Sequence, residues 1–146
     1  MTASAPASTW FITGCSTGLG RALAAEALAR GHRVVATARN PETLSDLISA
    51  HPDTALALAL DVTRPEAIAA ALSAAEARFG AIDVLVNNAG YGYFAAIEEG
   101  EDAAVRALFE ANVFGLFDLT KAVLPGMRAR RSGRIVNITS VGGMIG

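Results

Sequence analysis

A glycine-rich loop lies near the start of the chain, where the apolar residues WFIT are followed by TGCSTGLG (residues 13–20). A helical pattern with Leu19, Leu23 and Ala27 on one face comes directly after it. Glycines let a backbone turn sharply and approach a pyrophosphate, and a helix N-terminus offers free N–H groups and a partial positive charge. The loop therefore predicts a dinucleotide site. Its spacing, T-G-x-x-x-G-x-G, is longer than the standard fingerprint, and the glycine pattern alone also fits a plain tight turn.

The stretch ATARNPE (residues 36–42) contains the residue expected to distinguish two dinucleotides. In dinucleotide-binding folds an acidic residue about 20 positions beyond the loop binds the ribose 2′-hydroxyl of NAD, whereas an arginine nearby suits the 2′-phosphate of NADP. Arg39 follows Ala38 at about this place, and within the stretch no acidic residue precedes Glu42. We therefore predict NADP over NAD. The alternative is that Arg39 is a solvated residue at the start of the next helix.

Five short apolar runs that alternate with helical patterns must position these residues. They predict strands at TWFIT (9–13), RVVAT (33–37), ALALAL (55–60), DVLVN (83–87) and RIVNI (134–138). Strands separated by helices imply right-handed crossovers and a parallel sheet. We predict an α/β fold, a Rossmann-type doubly wound parallel sheet with helices on both faces, formed by residues 10–146.

The ends of the helices are predicted from local signals. Asn40-Pro41 is expected to start the second helix, and Thr63 with Glu66 to form a capping box for the third. A long helical pattern runs from about residue 101 to 131. We expect a disturbance at Gly115 and an end around Pro125-Gly126.

Composition excludes two classes of function. The 146 residues have a formal net charge of -2 and a sequence pI near 5.6, so a nucleic-acid partner is not expected. Hydrophobic residues make up 52% of the chain and the mean hydropathy is +0.38, but charged residues break every apolar run well short of a membrane span. These observations predict a protein with neither a nucleic-acid nor a membrane partner.

The N-terminal segment and the single cysteine bear on location. The segment MTASAPAS has no basic start and no continuous apolar region, so we expect no secretory signal and a disordered tail over residues 1–9. Cys15 cannot form an internal disulfide, which fits a reducing cytoplasm. We favour a small buried filler for Cys15 over a reactive thiol activated by the helix start.

Four further motifs follow the glycine loop in order: LDVT (60–63), NNAG (87–90), NVFG (112–115) and GRIVNITS (133–140). Together with TGCSTGLG they closely resemble the short-chain dehydrogenase/reductase family, over essentially all of residues 10–146. The resemblance implies an NAD(P)(H)-dependent oxidoreductase that interconverts an alcohol and a carbonyl in a small-molecule substrate. It also implies a homo-oligomer when the protein is full length.

The resemblance assigns roles residue by residue. The cofactor-binding residues that it implies are Gly14, Ser16, Thr17, Gly18, Leu19 and Gly20 for the pyrophosphate, Arg39 for the 2′-phosphate, Asp61 and Val62 for the adenine, and Asn88, Ala89 and Gly90 for the reactive half. The catalytic residues that it implies are Ser140, which donates to the substrate oxygen, and Asn112, which holds a water in a proton relay. Two alternatives stay open: strand-end amides that only satisfy loop backbone, and an Asn112 amide that caps a break in the long helix.

The chain departs from the family at the acid/base pair, a tyrosine followed four positions later by a lysine. The only lysine, Lys121, has Phe117 at that spacing, and the only tyrosines, Tyr91 and Tyr93, precede no lysine. The family places this pair further along the chain than Gly146. We therefore expect the chain to supply the cofactor-binding half of an oxidoreductase and to be inactive alone.

Two alternatives to the oxidoreductase remain. One is an inactive NADP-binding module or degenerate fragment, and the other is a methyltransferase, which does not account for the later motifs. The fifth strand would be an unprotected edge, so we expect residues 1–146 to aggregate or to need a partner. Substrate identity is undetermined, since Tyr91, Tyr93, Phe94 and residues 141–144 indicate only a partly apolar pocket.

Overall fold

The computed structural model describes residues 7–143, which form five parallel strands and their connecting helices. The strands are β1 (Thr9–Ile12), β2 (Arg33–Ala38), β3 (Ala55–Ala59), β4 (Val84–Asn87) and β5 (Arg134–Asn137). Their order in the sheet is β3-β2-β1-β4-β5, with every neighbouring pair parallel. The predicted parallel sheet is confirmed, with strand boundaries within one residue of those expected. Residues 1–6 of the predicted tail and residues 144–146 lie outside the described part.

Five helices connect or follow the strands. They are α1 (Gly18–Ala29), α2 (Ser45–Ala50), α3 (Pro65–Phe79), α4 (Asp102–Phe109) and α5 (Gly115–Arg130). A 3-10 turn, Pro41–Leu44, precedes α2, and a π-helical turn, Glu110–Phe114, joins α4 to α5. The Asn40 side-chain oxygen accepts a hydrogen bond from the Glu42 N–H, so the expected start at Asn40-Pro41 is confirmed.

Strand residues alternate between two cores, one on each face of the sheet. Phe11, Val35 and Leu85 face a cluster that includes α3 and α5, whereas their neighbours Ile12 and Val34 face α1 and α2. The α1 face is rich in alanine, with Ala24, Ala27, Ala36, Ala38 and Ala55 buried there. The α3 and α5 face contains larger side chains, including Phe79 and Met127. Helices therefore cover both faces, as the Rossmann-type prediction required.

Three local expectations were wrong. Thr63 does not cap α3, because its hydroxyl and N–H both donate to Asp61; the residue before the helix is Arg64, whose guanidinium pairs with Glu66. Leu19 is exposed rather than part of the core face of α1. Pro125 lies inside α5, which continues to Arg130 and keeps Met127, two residues beyond the proline, packed in the core.

Two boundaries also differ from the expectation, one at the start of β1 and one between α4 and α5. Thr9, placed in the predicted tail, is buried in β1 and its N–H donates to the Asp83 carboxylate at 2.8 Å. The expected disturbance at Gly115 occurs one turn earlier, in the π-helical turn. Among residues 7–143, β5 has β4 as its only strand neighbour, so it forms the edge that the sequence predicted.

Candidate functional site

A cleft of about 1010 Å³ lies at the carboxyl ends of β1 to β4. From β1, strands β2 and β3 are added on one side of the sheet and β4 and β5 on the other, so the strand order reverses at β1. Parallel α/β sheets bind ligands at such a switch point. The cleft is lined by Gly14, Ser16, Thr17, Leu19, Ala38, Arg39, Leu60, Asp61, Val62, Thr63, Asn88, Ala89, Gly90, Tyr91, Ala107, Glu110 and Ala111. All of the predicted cofactor-binding residues except Gly18 and Gly20 are therefore brought together in one cleft.

The glycines of the loop are needed for two reasons, which are close contacts at Gly14 and Gly20 and a left-handed backbone at Gly18. A Cβ on Gly14 would lie 2.9 Å from the Ala89 Cα, and one on Gly20 would lie 2.5 Å from the Gly14 carbonyl oxygen. Gly18 has a φ of 62°, in the left-handed region, yet a Cβ there would meet nothing within 4 Å. Gly14 and Gly20 thus allow the close contacts that shape the loop, and Gly18 leaves open space at the start of α1.

Thr17 is the residue before α1, and its side chain makes no capping hydrogen bond. Its hydroxyl and the first N–H groups of the helix are therefore available to a ligand. Partial positive charge at a helix N-terminus favours an anion there. These donors, with the open space at Gly18, fit a dinucleotide pyrophosphate.

Thr13, which the sequence analysis did not single out as a site residue, joins the loops after β1 and β4. Its hydroxyl donates to the Val86 carbonyl at 3.3 Å and accepts from the N–H groups of Asn88 and Ala89, each at 2.9 Å. The Asn88 amide nitrogen in turn donates to the carbonyls of Thr13 and Gly14, at 2.8 and 3.1 Å. Asn88 therefore satisfies loop backbone with its side chain, and it holds the NNAG loop against the glycine loop.

Asp61 is oriented by its neighbour Thr63. One carboxylate oxygen accepts from the Thr63 N–H at 3.0 Å and from the Thr63 hydroxyl at 2.7 Å. These bonds, with smaller contributions from the charges of Arg39 and Arg64, hold the pKa of Asp61 below its usual value. Asp61 is therefore an ionised acceptor in the cleft wall, as an exocyclic amine would require.

Asn112 lies in the π-helical turn and binds the backbone of Tyr91. Its side-chain oxygen accepts from the Tyr91 N–H at 3.1 Å, and its amide nitrogen donates to the Tyr91 carbonyl at 2.7 Å. A Cβ on Gly90 would lie 3.0 Å from the same side-chain oxygen. π-Helical turns are frequent at functional sites. Here the turn brings the amide against the loop that forms one wall of the cleft.

Ser140 follows β5 by three residues and is exposed. Its hydroxyl oxygen accepts from the Gly142 N–H at 3.1 Å. Neither Ser140 nor Asn112 is among the residues that line the cleft. The cleft thus contains ten of the twelve predicted cofactor-binding residues and neither of the two predicted catalytic residues. Met144, part of the expected substrate pocket, lies outside the described residues.

Cys15 is fully buried inside the glycine loop, and its thiol donates to the Ile12 carbonyl at 3.2 Å. Burial raises the pKa of the Cys15 thiol to about 11, and the opposing effects of the Thr37 backbone and Arg21 are smaller. The interpretation of Cys15 as a buried filler is confirmed.

Residues 7–143 contain neither a metal-binding cluster nor a membrane-spanning helix. No group of three or more His, Cys, Asp or Glu side chains in this range is arranged to hold a metal ion. No helix in the same range combines the length and apolar character needed to cross a membrane.

Comparison with known proteins gives consistent matches. The family model for short chain dehydrogenase matches residues 8–146. Oxidoreductase BOA17 of Botryotinia fuckeliana is 44% identical over 138 residues, which are 94% of this chain and 50% of that protein. The 3-oxoacyl-[acyl-carrier-protein] reductase FabG of Vibrio cholerae is 38% identical over 135 residues, covering 92% and 55% respectively.

A solved structure of a short-chain dehydrogenase from Streptomyces avermitilis superimposes with a TM-score of 0.92 at 49% identity. The match covers 96% of this chain and 52% of that one. The chain therefore spans about half the length of the relatives it matches.

Proposed function

Because the chain belongs to the short-chain dehydrogenase family, we propose that it is the cofactor-binding part of an NAD(P)(H)-dependent oxidoreductase that interconverts an alcohol and a carbonyl, with NADP preferred. The observation that carries this proposal is the single cleft in which the glycine loop, Arg39, Asp61 and the NNAG loop meet. The bound nicotinamide cofactor would supply or accept the hydride. The residues of this chain bind and orient that cofactor.

The preference for NADP rests on Arg39. The side chain is exposed, lines the cleft and follows Ala38 at the end of β2, where an NAD-binding chain would carry an acidic residue. A guanidinium can pair with a phosphate through two parallel hydrogen bonds. The nearby carboxylate of Asp61 accepts two bonds from Thr63 on one of its oxygens.

The test is the pair of dissociation constants for NADPH and NADH, measured on the chain and on Arg39→Ala. Hydrogen bonds to charged groups contribute about 1.5–3 kcal/mol, so NADPH affinity should fall about tenfold or more. NADH affinity should stay the same. Arg64→Ala is the matched control, since Arg64 is also exposed and also acts on Asp61 but does not line the cleft. An unchanged ratio of the two constants in Arg39→Ala would reject the NADP preference.

Catalysis by the larger protein would use Ser140 and Asn112 in different ways. Ser140 would donate to the substrate oxygen, where a hydrogen bond stabilises the charge that develops as hydride moves. Asn112 would hold the cleft wall in place through its two bonds to Tyr91. The sequence has no tyrosine followed four positions later by a lysine, so we propose that residues 1–146 alone bind nucleotide without turnover.

A second candidate, a nucleotide-binding module without activity, is favoured by that same missing pair. Both candidates predict cofactor binding, so the discriminating measurement is the intact mass of the natural gene product isolated from its source cells. A mass well above 15.0 kDa would support the oxidoreductase, and a mass at 15.0 kDa would support the module.

The proposed oxidoreductase is cytoplasmic and forms a homo-oligomer. A cytoplasmic location is favoured by the free, buried Cys15. A homo-oligomer is favoured by exposed apolar side chains on and before α4 and α5, namely Phe94, Ile97, Phe109, Phe114 and Phe117. Light scattering on the full-length protein would measure the assembly, and a monomer would contradict it.

A further inference from the structure

Arg21, in the first turns of α1, contacts the segment that follows Arg39. One guanidinium nitrogen donates to the Thr43 carbonyl at 2.9 Å, and the other pairs with the Asp46 carboxylate at 2.5 Å. The side chain of Arg21 is 30% exposed and that of Asp46 is 71% exposed. A cation near a helix N-terminus is disfavoured by the helix dipole. The two bonds offset this cost and hold the guanidinium against Thr43 and Asp46.

The turn held by Arg21 begins immediately after Arg39. The Asn40 side-chain oxygen accepts from the Glu42 N–H at 3.1 Å, and the Asn40 carbonyl accepts from the Thr43 hydroxyl at 2.7 Å. Thr43 is therefore bonded to Asn40 through its hydroxyl and to Arg21 through its carbonyl. Arg21 of α1 is thus connected, through the two hydrogen bonds of Thr43, to the Asn40 carbonyl next to Arg39.

The pair between Arg21 and Asp46 is an ionised one. The hydrogen bond from Arg21 is the largest of the effects that lower the pKa of Asp46. Because the pair is exposed, it contributes little to global stability. Its effect is local and falls on the short turn between Arg39 and α2.

We propose that Arg21 is a positioning residue for Arg39, and that the clamp formed by Arg21, Thr43 and Asp46 raises affinity for a nucleotide with a 2′-phosphate. The inference rests on the proposed role of Arg39. A binding group held in place before the ligand arrives loses less conformational entropy on binding. Since its guanidinium is bonded to Thr43 and Asp46, Arg21 acts through Arg39 and not on the phosphate itself.

The experiment compares Arg21→Met and Asp46→Asn with a matched control, Arg30→Met. Arg30 forms the same kind of exposed pair, with Glu26 at 2.6 Å, at the other end of α1. Dissociation constants for NADPH and NADH are measured on the full chain by nucleotide fluorescence, with Arg39 present and in an Arg39→Ala background. Both clamp variants should raise the NADPH constant about fivefold and leave the NADH constant unchanged. In the Arg39→Ala background they should have no further effect, and Arg30→Met should have none in either.

Three results would overturn the inference. An equal loss of NADPH affinity with and without Arg39 would mean that Arg21 acts on the phosphate directly. A loss of affinity for both nucleotides would indicate a general effect on the glycine loop, and no loss would remove the role altogether. Asp46→Asn changes one exposed group, so it gives a folded protein even where Arg21→Met does not.

Different variants test the role of Arg21 and the proposed preference for NADP. Arg39→Ala alone tests the NADP preference, and Arg21→Met with Arg39 intact tests the clamp. A strong effect of Arg39→Ala with no effect of Arg21→Met rejects the clamp and leaves the preference standing.

Discussion

Replacing Thr13 by valine removes the hydroxyl that joins the glycine loop to the NNAG loop and leaves the shape of the side chain nearly unchanged. Thr13 is buried, and the N–H groups of Asn88 and Ala89 would both lose their acceptor. The Val86 carbonyl would keep its bond from the Thr13 N–H. A hydrogen bond contributes about 0.5–1.5 kcal/mol and a buried unpaired donor costs about 1–3 kcal/mol. Because both N–H groups are only partly buried, we expect the free energy of unfolding to fall by about 2 kcal/mol.

The assay is urea unfolding at neutral pH, with Thr37→Val as the matched control. Thr37 is equally buried in the neighbouring strand, but its hydroxyl makes a single bond, to the Ile12 carbonyl at 3.2 Å. Its loss should therefore cost about 1 kcal/mol. Thr13→Val should also weaken NADPH and NADH binding together, and Thr13→Ser should restore both properties. Equal costs for the two valine variants would refute the argument that Thr13 connects the two loops.

Three further predictions concern other described residues. The folded-state pKa of Asp61 is lowered, so its stabilising effect is fully present above the unfolded pKa of about 3.9 and is lost as pH falls through the lower folded pKa. The stability difference between the chain and Asp61→Asn, measured by urea unfolding, should begin to shrink near about pH 4 and continue to shrink at lower pH. Cys15 should react with a maleimide at pH 8 far more slowly in the folded chain than in urea, because burial keeps it a thiol; equal rates would contradict this. Asn112→Ala should speed amide exchange at Tyr91, with Asn137→Ala as the control, and an unchanged rate would mean that the amide does not hold this loop.

The fold could be predicted because its strands are short apolar runs separated by helical patterns. Some strand ends differ by one residue: Thr13, Leu60 and Ile138 were expected in strands but lie just beyond them. The capping box at Thr63 failed because Asp61, two residues earlier, competes for the same hydroxyl. Pro125 did not end α5, because the helix beyond it keeps Met127 buried in the core, which offsets the backbone bond that the proline removes.

The candidate site was predictable only where its residues occur in local motifs. The glycine loop implies a chemistry of its own, whereas Asp61 was assigned through the resemblance to the family. The contact of Asn112 with Tyr91 spans 21 positions, and the bonds from Thr13 to the NNAG loop span 75 and 76. No periodicity or spacing in the sequence indicates such contacts, since they depend on which strands become neighbours.

The unequal composition of the two cores affects how this chain can diverge. Alanines on the α1 face let that helix approach the sheet closely, and the same helix presents its N-terminus to the cleft. A methyl group gained on this face would push α1 outward and shift the anion-binding end of the site. The α3 and α5 face does not carry the glycine loop and touches the cleft only through Leu60 and Val62, so side chains away from these two can exchange size with less effect on the site. Sequence drift should therefore be slower on the alanine face, where one change in packing is also a change in binding.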